Sequence, residues 1–232
     1  MKKTILMIGG NRGIGAELRD SLISEGHHVI QWTRNVEGSS SENHTLMNFN
    51  VENDDLPGEL PESIDGYVYL PGSINLRPFE RYKEEEFVND FNLNALHNVK
   101  ILQKVMPHLK KSKNDPSVVF FSTVAVQSGL PFHASIAMAK GALEGLTTSL
   151  AAEYAPKIRF NCIAPGLTDT PLAEKLTSNE KVREASEKKH PLGRIGNPKD
   201  IAAMASFLLN DRSSWMTGQI LRVDGGMSSI RK

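Results

Sequence analysis

The chain has 232 residues, the size of one α/β domain, and its 27 basic and 27 acidic residues leave no net field to steer it toward nucleic acid or an anionic membrane. Its single cysteine, Cys162, excludes an intramolecular disulfide and fits a reducing compartment. The apolar start at residues 4–8 is too short for a signal peptide or a membrane span, so a soluble cytoplasmic protein is the expectation.

Residues 4–8 form a strand-like run, and residues 15–25 show the apolar spacing of a helix. Between them lies Ile8-Gly9-Gly10-Asn11-Arg12-Gly13-Ile14-Gly15. Glycines at 9, 13 and 15 allow a turn tight enough for the backbone to approach a pyrophosphate, held by the free N–H groups and dipole of the following helix. The spacing alone also fits a glycine-rich turn with no ligand, and its place on the first strand-to-helix turn favours the dinucleotide reading. The second strand, residues 28–32, runs into Gln31-Trp32-Thr33-Arg34, with no carboxylate to hold a ribose 2′-hydroxyl. Arg34 and Arg12 would instead flank a 2′-phosphate, so NADP(H) is the expected cofactor.

Residues 35–43 are polar and serine-rich, and residues 52–63 carry Pro57, Gly58 and Pro61, so neither connection is expected to hold a long helix. Further strand-like runs at 66–70, 117–121, 159–163 and 219–223 alternate with helical periodicity over 84–109, 135–154 and 199–209. That alternation predicts one domain, residues 1–232, built as a Rossmann-type doubly wound parallel β-sheet with helices on both faces. Segment 171–191, polar and bracketed by Pro171 and Pro191, reads as a lid with a helix over 172–190. The stripe Leu143, Leu146, Leu150 fits either the sheet or a subunit interface. Lys110, Lys111 and Lys113 form a basic cluster, read as a solvated helix end, with docking of an acidic carrier protein as the alternative.

Several motifs together resemble those of the short-chain dehydrogenase/reductase family along nearly the whole chain. The glycine turn is similar to its Thr-Gly-x-x-x-Gly-x-Gly, with Ile8 for Thr, and Lys140 fits the Lys of Tyr-x-x-x-Lys. Pro165-Gly166 followed by Thr170 is similar to Pro-Gly-x-x-x-Thr, while Pro191-Leu192-Gly193-Arg194 and Val223-Asp224-Gly225-Gly226 match C-terminal signatures. The likeness is strongest to 3-oxoacyl-acyl-carrier-protein reductases. It implies that Gly9, Asn11, Arg12, Gly13, Ile14, Gly15 and Arg34 bind the adenosine and pyrophosphate, with Asn50 near the adenine where Asp is usual. It implies Lys140 on the nicotinamide ribose, and Pro165, Gly166 and Thr170 at the carboxamide. It also implies Asn92, Thr123 and Lys140 as catalytic residues, Thr123 standing where the family has Ser. The substrate is then a small molecule, on coenzyme A or acyl-carrier protein if acyl, and the assembly a homodimer or homotetramer.

Two departures bear on the chemistry. The family's Asn-Asn-Ala-Gly reads Tyr69-Leu70-Pro71-Gly72, and Ile136 stands four residues before Lys140 in place of Tyr. In the family that Tyr exchanges a proton with the substrate oxygen while Lys lowers its pKa, and a four-residue spacing stacks the two on one helix face. Isoleucine carries no proton, and loss of general acid catalysis costs on the order of 10²–10⁴ in rate. His133, seven residues before Lys140, occupies the register of the enoyl-carrier-protein reductase tyrosine and is the candidate replacement, against the plainer reading of a loop histidine. Around Arg159-Phe160-Asn161 the chain is also similar to dienoyl-CoA reductases, which lack the usual Tyr. The expected activity is NADP(H)-dependent reduction of a carbonyl or conjugated double bond. The alternative is a catalytically impaired dinucleotide-binding sensor or inactive oligomer partner.

Overall fold

In the computed structural model, which describes residues 1–36, 38–56 and 60–230, seven strands form one parallel sheet. They are β1 (Thr4–Ile8), β2 (His28–Thr33), β3 (His44–Asn48), β4 (Gly66–Tyr69), β5 (Ser117–Phe121), β6 (Arg159–Pro165) and β7 (Ile220–Val223). Their spatial order is β3-β2-β1-β4-β5-β6-β7. Side chains alternate across the pleat. Along β1, Ile5 and Met7 pack with Leu18, Leu22, Ile201 and Leu208 on one face, while Leu6 and Ile8 pack with Ile101, Val105 and Phe120 on the other. Helices α1 (Ile14–Ser24) and α8 (Pro198–Leu209) therefore cover the first face, and α3 (His97–Lys111) and α5 (Ala134–Tyr154) cover the second. Each such side chain removed from water contributes roughly 1.5–3 kcal/mol. The strand order reverses between β1 and β4, the switch point outside which doubly wound sheets place their ligands.

Strand β3 is the element that the sequence pattern did not single out. It is an edge strand, only partly buried, so its side chains lack a clear apolar alternation. Among the described residues neither 34–43 nor 49–65 contains a helix, as their composition predicts; Pro57 and Gly58 lie outside the described residues.

The helix expected over 84–109 is interrupted. Helix α2 (Glu84–Phe91) passes into a π-helical turn, Asn92–Leu96, before α3 begins. At this widening the side-chain Nδ2 of Asn94 donates to the Asp90 carbonyl at 2.8 Å, taking an acceptor that a regular helix gives to its own backbone. The lid segment is likewise not one helix. It comprises a 3₁₀ turn, Pro171–Ala173, then α6 (Glu174–Thr177) and α7 (Glu180–Glu187), the last capped by Asn179 Oδ1, which accepts from Val182 N at 3.2 Å. Leu143 is buried, and Leu146 and Leu150 pack against the core beside it, so this stripe faces the sheet.

Candidate functional site

A cavity of about 920 Å³ opens across the carboxyl ends of β1, β2, β4, β5 and β6 and is closed above by α6 and α7. Its first wall is the turn after β1. A methyl group on Gly15 would lie 2.2 Å from Gly10 Cα, so glycine is what lets α1 start against this turn. Gly13, at φ 59°, caps α1 in a backbone state that other residues resist, and Thr170 Cγ2 sits 3.2 Å from where its Cβ would be. The result is an open cradle at a helix N-terminus, lined by Gly9, Asn11, Arg12, Gly13, Ile14 and Gly15, which fits a pyrophosphate.

Beyond the cradle the end of β2 brings Trp32, Thr33 and Arg34 to the wall. The Arg34 side chain is 67% exposed, with Glu52 Oε2 3.7 Å away, and exposed Arg12 also lines the cavity. A cavity end with two guanidinium groups fits a 2′-phosphate. Asn50 is not part of the lining. Its Oδ1 accepts from Glu52 N at 3.1 Å, and Phe49, Val51 and Glu52 line the wall beside it.

The opposite end of the cavity gathers the remaining polar groups. Lys140 and Ile136 both line it, one helical turn apart on α5, and Thr123 joins them from the end of β5. Burial pushes the Lys140 ammonium down to about 8, against an opposing pull from Cys162, whose thiol burial pushes up to about 12. Thr123 Oγ1 accepts from Ala125 N at 3.3 Å, at the start of α4 (Ala125–Ser128). The neighbouring Ser122 donates to Glu144 Oε1 at 2.6 Å, away from the lining residues of α5. His133 also lines the cavity, but α5 starts one residue later, so His133 is the N-cap and not part of a continuous helical face. Its Nδ1–H donates to the Pro131 carbonyl at 2.6 Å. Pro165, Gly166 and Thr170 complete the wall beneath the lid, with Thr170 capping the 3₁₀ turn.

The asparagine in this wall is Asn94. Asn92, two residues earlier in the π-helical turn, lies outside the lining. A methyl group on Gly72 would lie 2.9 Å from Asn94 Oδ1 and 3.5 Å from Lys140 Nζ, so the glycine keeps open the space where these groups meet. Asn94 is held by donating to Ser73 Oγ at 2.9 Å and to the Asp90 carbonyl. Buried Asp90 accepts 2.6 Å bonds from Ser73 Oγ at Oδ1 and from Ser135 Oγ at Oδ2, tying the loop after β4 to the first turn of α5. The family likeness pointed to Asn92, and Asn94 two residues on is the one that the π-helical turn brings to the wall. The polar pair Asp90 and Asn94, four apart, was the available signal for which helix face turns inward.

Arg159 and Asn161, in the stretch similar to dienoyl-CoA reductases, do not line the cavity; Arg159 binds the Leu208, Asn210 and Ser213 carbonyls and Asp115, and Asn161 binds the backbone at Met216 and Gln219. Lys110 Nζ lies 4.9 Å from the Tyr154 ring centroid, and the cluster with Lys111 and Lys113 precedes β5, at the amino ends of the strands, and contributes nothing to the cavity lining. Among the described residues no helix is long and apolar enough to cross a membrane.

Residues 9–228 match a family model described as enoyl-(acyl carrier protein) reductase. The 3-oxoacyl-(acyl-carrier-protein) reductase FabG of Chlamydia trachomatis is 32% identical over 248 residues, spanning 98% of this chain and 98% of that one. Among solved structures, ligand-free aldohexose dehydrogenase of Thermoplasma acidophilum aligns with a TM-score of 0.86 at 27% identity, over 100% of this chain and 97% of that one. NADP-bound ElxO aligns with a TM-score of 0.86 at 26% identity, over 99% of this chain and 100% of that one.

Proposed function

The chain belongs to the short-chain dehydrogenase/reductase family, and from that premise we propose that it is an NADP(H)-dependent reductase of a carbonyl or conjugated double bond on a small acyl-type substrate. The observation that carries this reading is one cavity holding the glycine cradle at one end and Thr123, Asn94 and Lys140 at the other. The 2′-phosphorylated cofactor is supported by Arg12 and Arg34 at the cradle's outer end, and by a similar protein, ElxO, having been solved with NADP.

When bound, the dinucleotide supplies the hydride. Lys140 would hold the ribose hydroxyls by hydrogen bonds from a partly desolvated position where they are strong. Pro165, Gly166 and Thr170 would hold the carboxamide under the lid. Thr123 Oγ1 donates to the substrate oxygen, and Asn94 bridges through its amide oxygen toward Lys140. With Ile136 carrying no proton, His133 is our candidate to protonate the oxygen, its ring held by Nδ1–H donation to the Pro131 carbonyl; His190 and Lys140 line the same cavity. The apolar lining of Ile74, Leu130, Phe132, Leu172, Leu176 and Val182 suits an acyl chain, presented on coenzyme A or acyl-carrier protein. We place this enzyme in the cytoplasm as a homodimer or homotetramer.

The test is titration with NADPH and NADH, then NADPH oxidation with acetoacetyl and crotonyl thioesters by wild type and His133→Ala. Tight NADPH binding with turnover that His133→Ala abolishes supports the assignment. Turnover that survives His133→Ala removes this residue from the mechanism. The substitution of Ile136 for Tyr favours a second reading, a dinucleotide-binding sensor or inactive oligomer partner, and tight binding with no turnover decides for it.

A further inference from the structure

Gln31 is fully buried in β2, next to a core where an apolar side chain is the ordinary choice. A buried amide is costly unless its hydrogen bonds are made. Gln31 makes them. Nε2 donates to the Gly9 carbonyl at 2.9 Å and to Asn11 Oδ1 at 3.1 Å, and Oε1 accepts from His44 Nε2 at 3.0 Å. Because the Gly9 carbonyl only accepts, the amide orientation is fixed, and the Asn11 orientation follows from it. With Oδ1 turned to Gln31, Asn11 Nδ2 donates to the Asn35 carbonyl.

One chain of hydrogen bonds thus runs from edge strand β3 through β2 and the glycine turn to the loop that carries Arg34. The two ends of this chain are not equally dependent on it. Gly9 has a second anchor, its N–H donating to the Trp32 carbonyl at 2.6 Å, so the glycine turn keeps a tie to β2 without Gln31. The Arg34 loop is tied to the glycine turn through Asn11, and the Arg34 side chain itself is largely exposed with a single loose ion pair. Where that guanidinium stands is therefore set by its backbone.

We propose that Gln31 is a positioning residue for cofactor choice: by orienting Asn11 it fixes the Arg34 loop against the glycine turn, and so sets the preference for a 2′-phosphorylated dinucleotide over one with a free 2′-hydroxyl. The inference rests on reading the cavity as a dinucleotide site. Gln31→Met keeps the side-chain volume and removes the three bonds that Gln31 makes, leaving the Asn11–Asn35 link without the contact that orients Asn11.

The test measures Kd for NADPH and NADH by fluorescence titration, on wild type, Gln31→Met and Asn11→Ser. Losing the contacts that hold Arg34 is expected to raise the NADPH Kd about tenfold or more while NADH changes by no more than about threefold. Asn11→Ser breaks the same path one link later; because Asn11 also lines the cradle both affinities fall, and it is the NADPH-to-NADH ratio that shifts the same way, which keeps the test alive should Gln31→Met fail to fold. Unchanged affinities in both variants overturn the proposal. Equal weakening toward both cofactors also overturns it, since a merely structural role lowers both together. A wild-type chain that binds neither cofactor defeats the dinucleotide reading itself, an outcome distinct from either of these.

Discussion

Replacing Ile136 with Tyr restores the group that the cavity lacks, and its effect can be worked from the geometry. Position 136 lies one turn before Lys140 on α5, a rise of about 6 Å, and both side chains line the same end of the cavity with Thr123. A phenol there reaches past the buried isoleucine stem into open cavity, with the Lys140 ammonium beside it to lower its pKa. General acid catalysis contributes about 10²–10⁴ in rate, or about 2.7–5.5 kcal/mol of barrier. Ile136 is 5% exposed, so the wider ring also crowds its neighbours, at a cost of about 1–3 kcal/mol of stability. In a chain of this length that is a Tm loss of about 2–4 °C per kcal/mol. The assay is kcat for NADPH oxidation with acetoacetyl and crotonyl thioesters, beside NADPH Kd and Tm for both proteins. An Ile136→Tyr variant that folds, binds NADPH as wild type does and shows no rise in kcat refutes the claim that position 136 is where the proton is missing.

Three further outcomes are expected. Lys140 titrates near 8 in the folded chain against 10.5 for an ordinary lysine, so the unfolded chain binds more protons between those values and stability rises with pH across that window. Lys140→Met is therefore expected to raise the apo Tm at pH 7, with the gain fading toward pH 10, while NADPH affinity falls; a lower Tm at pH 7 contradicts the burial argument. Arg159→Met leaves the Leu208, Asn210 and Ser213 carbonyls without their cation and is expected to cost about 3–5 kcal/mol in urea unfolding with NADPH affinity kept, whereas a loss below about 1 kcal/mol would show that water replaces the guanidinium. Gly15→Ala places a methyl 2.2 Å from Gly10 Cα and must open the turn, so NADPH binding should weaken about a hundredfold or more, and retained affinity rules this turn out as the pyrophosphate cradle.

Much of the cofactor end was legible because its signals are local. A glycine that must admit a close backbone approach announces itself in sequence, and so does a missing carboxylate at the end of β2. The catalytic end was less so. Asn92 matches the family pattern, yet Asn94, two residues on in the π-helical turn, is the one that lines the cavity. His133 sits in the expected register, yet its helix begins one residue too late to carry it on the same face as Lys140. Arg159 and Asn161 are staples between β6 and the segment before β7, because polar side chains on a buried strand need backbone partners wherever they fall.

The sequence by itself determined the layered sheet, since apolar runs separated by amphipathic stretches can bury both faces of a parallel sheet in few other ways. It determined the glycine cradle and the absence of a tyrosine proton donor, because those depend on which atoms a residue has. Only the tertiary structure decided which way side chains point from long-range contacts. It bound Asp90 to Ser73 and Ser135, residues 17 and 45 positions away, and joined His44, Gln31, Asn11 and Asn35 into one hydrogen-bonded path. Such partners meet through strand order and helix packing, which no local spacing encodes.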